Sequence, residues 1–204
     1  MQQSLSELAT VTALGLCLTG AAVGQDITPA ERDRAVTYLN QTRNALLQEV
    51  KGLSDAQWTF KPAPDRWSTA EVVEHLALVE DFFVTKRGPQ LMNAPAGSAD
   101  RDVKRVDALI LDKVPDRSTK AKAPDAIVPT GRWTPQSALD RFVTDRQQTE
   151  LFVSTNANLR GHVVAHPALG DLDAYQWVLA IAAHTDRHVK QTIEIKADPR
   201  FPAN

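Results

Sequence analysis

Two histidines, His184 and His188, stand four residues apart inside the apolar stretch WVLAIAAHTDRHVKQTIEIK (Trp177–Lys196). On a helix that step places two imidazoles one above the other, pointing the same way. Neutral imidazole is a ligand for divalent zinc, nickel, copper or iron. Two rings from one helix and a third from a facing helix make three protein ligands and leave positions open for water or substrate. His75 is the natural third. It lies between Val72 and Val79 in three-to-four spacing and so shares the apolar face of a second segment. The alternative is a set of core histidines held by hydrogen bonds, because a pair at this spacing also arises by chance. Burying three imidazoles is costly unless their nitrogens are satisfied, and a metal satisfies three at once.

The elements that must position these rings are helical. Helix one begins at Thr28, where Thr28-Pro29-Ala30-Glu31 gives a capping box with proline at the first helical position. Ala35, Leu39, Thr42, Leu46 and Val50 form its stripe, and Gly52 is its stop. Pro62 and Pro64 break the next stretch, whose Trp58, Phe60 and Trp67 are expected to cover an end of the bundle. Helix two starts at the capping box Ser68-Thr69-Ala70-Glu71, with Val72, Leu76, Val79 and Phe83 inward.

Residues 92–133 form a long connection broken by prolines and glycines, with a short helix expected over Val103–Lys113. A crossover of this length lets helix three run parallel to helix two. Helix three starts at Thr134-Pro135 and carries Leu139, Phe142, Val143, Val153 and Ala157. On the same face Arg146 and Glu150 are expected to pair with each other or with a neighbouring helix. Helix four runs from Asp171 or Asp173 to Ala197. No strand pattern emerges, and HVVAH (His162–His166) is too short to count as one. The expected fold is all-α: a four-helix bundle over residues 28–197 with a long crossover between helices two and three.

Composition narrows the function. The chain has 204 residues and a formal net charge of -2 with no basic run, which excludes nucleic acid as an expected partner. A single cysteine, Cys17, excludes an internal disulfide and a zinc site of several thiolates. It lies in an apolar run from Val11 to Val23 that is too short to span a bilayer. Residues 1–24 read as a signal peptide, although residues 1–10 hold Glu7 and no Lys or Arg. The expectation is an exported protein, periplasmic or secreted, with no transmembrane segment.

Two motifs also carry a resemblance. KPAPDRWSTAEVVEHLALVEDFF (Lys61–Phe83) joins a capping box to Glu-His-Leu. HPALGDLDAYQWVLAIAAHTDRHVKQTIEIK (His166–Lys196) carries His-x-x-x-His, with Gln three residues after the second histidine. Together they resemble the DinB/YfiT-like superfamily of small metalloproteins, over about residues 28–197. The resemblance implies a four-helix bundle that can form a homodimer. It also implies a divalent metal, zinc or nickel, on His75, His184 and His188. Characterised relatives include thiol-dependent S-transferases and isomerases, and others carry only the label of hydrolase. Export disfavours a reaction that depends on cytoplasmic thiols. The expected activity is therefore a metal-dependent hydrolase using metal-bound water. Thiol S-transfer and a non-catalytic metal- or ligand-binding bundle are the alternatives. No general base accompanies the histidines in sequence.

The other polar candidates have milder expected roles. His166, before Pro167, is assigned a structural role with substrate orientation as the alternative, and His162 is placed on the surface. Arg187 is read as an ion-pair donor pointing away from the metal face. Gln191, one turn beyond His188, is a candidate to support that ring, and Glu71 is explained by its cap.

Overall fold

In the computed structural model, residues 26–120 and 122–203 are described. The signal peptide expected over residues 1–24 lies outside the described residues. The main helices are α1 (Pro29–Val50), α3 (Thr69–Phe82), α6 (Pro135–Thr155) and α7 (Ala174–Lys196). Shorter helices are α2 (Asp55–Thr59), α4 (Gly88–Met92) and α5 (Val103–Lys113). Among the described residues no helix is long and apolar enough to cross a membrane.

The caps anticipated from sequence start these helices. Thr28 and Ser68 each accept from the backbone N–H three residues on, and Glu31 and Glu71 return the bond. Asp173 and Gln176 make the same reciprocal pair at α7, so the helix proper begins at Ala174. Helix α1 buries Ala35, Leu39, Thr42, Leu46 and Val50, the full expected stripe. Leu39 and Leu46 are wholly buried, each worth roughly 1.5–3 kcal/mol relative to exposure. Its C-cap is Lys51, followed by Gly52 at φ 72°, a left-handed conformation that glycine adopts without strain.

Helix α3 continues into one π-helical turn, Phe83–Arg87, before α4. The cause is Pro89, which has no N–H and whose ring clashes with the carbonyl four residues back. The Gly88 N–H accordingly reaches Phe83 O, five residues back.

Contacts at both ends of the helices fix their directions. Arg160 bonds Glu31 near the start of α1 and Asp173 at the start of α7, and Lys196 near the end of α7 bonds Glu49 near the end of α1. These two helices are therefore parallel. Glu74 reaches the backbone just before α6, and Phe83 packs on Phe152 near its end, so α3 and α6 are parallel too. Arg43 pairs with Glu150 and Arg32 bonds Asn156 O, which makes α1 and α6 antiparallel. The long crossover is what permits the α3–α6 pairing.

One ion pair ties the bundle together. Arg146 is fully buried and donates Nε to Glu80 Oε1 at 2.7 Å. It also donates to Leu39 O and Thr42 on α1 and to Thr185 on α7. Glu80 takes a further bond from Thr149 at 2.7 Å. Of the two partners considered for Arg146, the neighbouring helix is the one observed, and Glu150 pairs instead with Arg43 at 2.8 Å. The inward stripe of α6 is Ala138, Phe142, Arg146, Thr149 and Val153, while Leu139 and Val143 are half-buried at its edge. At the other end Arg160 joins Asp107 of α5 to Asp173 and Glu31.

The region read as strandless holds a small hairpin. Strand β1 (Val163–His166) pairs antiparallel with β2 (Gly170–Asp173) through a three-residue loop. Each strand is only four residues long, too short for alternation to register in the sequence, and Gly170 at φ 77° closes the turn.

Candidate metal centre

The three rings come from α3 and α7. Trp67 stands beside His188 and His75 beside His184, so these helices run antiparallel. The Nε2 atoms of His75 and His184 are 3.2 Å apart, and those of His184 and His188 are 3.1 Å apart. Ligands about 2.05 Å from a tetrahedral zinc stand about 3.3 Å from one another, so this spacing suits one ion. His75 and His188 are buried and His184 is the most exposed of the three.

The opposite ring nitrogens fix the tautomers. His75 Nδ1 lies 2.7 Å from Ile127 O, a carbonyl that can only accept, so the proton is on Nδ1. His188 Nδ1 lies 2.9 Å from Gln191 Oε1, an oxygen that also accepts from Arg117 at 3.3 Å. Both rings therefore turn a bare Nε2 lone pair towards His184. A proton on His184 Nε2 can serve only one of them well, whereas a cation serves all three. His184 Nδ1 is buried without a protein partner.

Burial keeps the rings neutral. It holds His75 down to about 4, against an ordinary 6.5, despite the opposing bond to Ile127. His184 and His188 are held well below the ordinary range, first by burial and then by neighbouring rings. Neutral imidazole is the form that ligates.

Several supporting residues carried no readable signal. The Glu74 carboxylate, next to His75 in sequence, accepts from the N–H groups of Thr130, Gly131 and Arg132 at 2.9–3.2 Å. It thereby anchors the crossover that delivers Ile127 O. Trp67 lies over His75 at 4.9 Å and His188 at 6.2 Å between ring centroids, shielding that side from water. Arg117 forks onto Glu194 with both bonds at 2.6 Å, which orients it towards Gln191. Trp67, expected from sequence to cover an end of the bundle, lies over the histidine rings.

The remaining candidates sit apart from the three rings. Arg187 makes no ion pair among the described residues. It donates to Thr119 O at 2.6 Å, holding the crossover instead. His162 is half-buried rather than on the surface, because its Nδ1 bonds Ala94 O and the adjoining Ala96 bridges to it. His166 ends β1 with its ring 4.8 Å from Trp177. Glu71 caps α3 and pairs with Lys61 at 2.7 Å.

Comparison with known proteins agrees with this fold. The family model of the DinB superfamily matches residues 38–192. The Bacillus subtilis (strain 168) protein YuaE is 29% identical over 163 residues, covering 79% of this chain and 96% of that protein. Among solved structures, YfiT from Bacillus subtilis superposes with a TM-score of 0.58 at 15% identity, over 83% of this chain and 88% of its own. It is described as a probable metal-dependent hydrolase with an unusual four-helix bundle topology. TT2238, a four-helix bundle protein, gives a TM-score of 0.49 at 21% identity, over 80% of this chain and 98% of its own. With three quarters of its length matched by the family model, the chain belongs to the DinB superfamily.

Proposed function

We propose that the chain holds one divalent metal ion, zinc or nickel, on His75, His184 and His188, and hydrolyses a small-molecule substrate there. The observation that carries this reading is the pair of locked Nδ1–H donors. Ile127 O and Gln191 Oε1 leave two Nε2 lone pairs converging on a third ring at 3.1–3.2 Å. When bound, such an ion supplies Lewis acidity and lowers the pKa of water from 15.7 to about 7. The chain's own groups fix ligand orientation through Ile127, Gln191 and Arg117, and Trp67 excludes water from one side. YfiT, whose fold this chain shares, is described in terms of the same reaction class.

Elemental analysis of the purified protein, beside a His184→Ala variant, tests the reading. About one metal per chain, lost in the variant with helical content unchanged, is the expected result. Absence of metal after incubation with zinc and with nickel would overturn it. Ester and amide panels, run with and without low-molecular-weight thiols, then test the reaction. Turnover that requires thiol would replace hydrolysis by S-transfer.

A further inference from the structure

Two basic side chains, Arg87 and His166, pack on Trp177 of α7. On α7, Val178, Leu179, Ala182 and Ala183 are wholly buried, whereas Trp177 and Ile181 keep 8% and 5% of their surface. Across from them Val79, expected inward, is only half-buried, as are Phe82 and Arg87. Trp177, Ile181 and His184 follow one another on one face of α7 at steps of four and three residues, and His184 is the most exposed of the three rings. Seven residues separate Trp177 and His184, which is roughly 10 Å along a helix.

Arg87 stands at the Trp177 end of that face. Its guanidinium lies 4.4 Å from the Trp177 ring centroid and 5.3 Å from that of Phe82. It donates to Gln90 at 2.8 Å, but Nε is buried with no partner, and no carboxylate among the described residues pairs with it. The two buried arginines among the described residues, Arg146 and Arg160, are both matched to acidic groups. His166 packs on the same Trp177 ring at 4.8 Å. Its Nδ1 accepts from the Ala168 N–H at 3.2 Å, which puts the ring proton on Nε2 as a second donor. A planar guanidinium held over aromatic rings, with an N–H donor beside it, matches a carboxylate or phosphate.

We infer that Arg87, with His166, binds the anionic end of the substrate, so that the molecule cleaved at the three histidines is an ester or amide whose carboxylate or phosphate lies roughly 10 Å from the reacting carbonyl. This rests on the metal reading above. Arg87 selects the substrate and does not touch the reacting atoms.

The probes are suberic acid monohydroxamate, which pairs a metal-chelating head with a carboxylate at about this distance, and its neutral methyl ester. Titration calorimetry of the zinc-loaded chain is expected to show the acid binding about tenfold more tightly than the ester. Arg87→Gln should abolish that preference while leaving zinc content and ester affinity unchanged, and Arg87→Lys should retain part of it. Inorganic phosphate should compete with the acid and not with the ester. Equal affinities for the two probes in the zinc-loaded wild type, or a preference that survives Arg87→Gln, overturns this inference alone. A chain that takes up no zinc overturns the metal reading and this inference with it.

Discussion

His188 donates its Nδ1 proton to Gln191 at 2.9 Å, and the same Gln191 oxygen accepts from Arg117. One amide oxygen thus fixes both the tautomer and the rotation of a proposed ligand ring. Gln191→Leu, similar in size, should lower zinc affinity by about 10- to 100-fold with helical content unchanged. Competition against a chromophoric chelator measures this. Arg117→Ala should act in the same direction and more weakly, since Gln191 itself remains.

Glu74 should matter to the site without touching it. Its two oxygens take three backbone N–H bonds from the crossover, and a glutamine can offer only one oxygen. Glu74→Gln is expected to cost about 1.5–3 kcal/mol, read from urea unfolding. Limited proteolysis should then cut faster within residues 115–133, and zinc affinity should fall as Ile127 O loses its fixed position.

The metal-free chain should weaken in mild acid. A histidine held at about 4 in the fold and 6.5 when unfolded takes up a proton on unfolding. The contribution of His75 is therefore whole above about pH 6.5 and declines as pH falls towards 4. The decline is up to about 1.4 kcal/mol per pH unit for each such ring. His184 and His188 shift in the same direction. Urea midpoints at pH 7.5, 6 and 5 should decrease in that order, and an unchanged midpoint would contradict buried neutral rings.

The site was legible where helical spacing carried it. His75, His184 and His188 were found because a step of three or four residues keeps side chains on one face, and the caps at Thr28, Ser68 and Thr134 fixed where each face begins. Ile127 could not be found, because its role is that of a backbone carbonyl in a proline-broken connection, and a carbonyl has no residue signature. Arg187 was assigned an ion pair from its charge, yet the group opposite it is Thr119 O. The hairpin at Val163–Asp173 was missed because four-residue strands fall below what alternation can register. Val79 lies on the inward stripe yet is only half-buried, because periodicity gives a side chain's direction and not its degree of burial.

The Arg146–Glu80 pair is expected to be the most sensitive point in the bundle. Arg146→Leu leaves the buried Glu80 carboxylate without its counter-charge and should cost about 3–5 kcal/mol in urea unfolding. Replacing both members by leucine should cost less than the sum of the two single replacements, because neither charge is then stranded.

That guanidinium also bears on how the molecule opens. Its bonds reach α1, α3 and α7 from α6, so no main helix can swing away without stripping one of its partners. Amide protons in the middle of all four main helices should therefore exchange with one common opening free energy, as a single cooperative unit. The hairpin and the crossover lie outside that clamp and should exchange first, opening the approach to the histidines while the bundle stays closed.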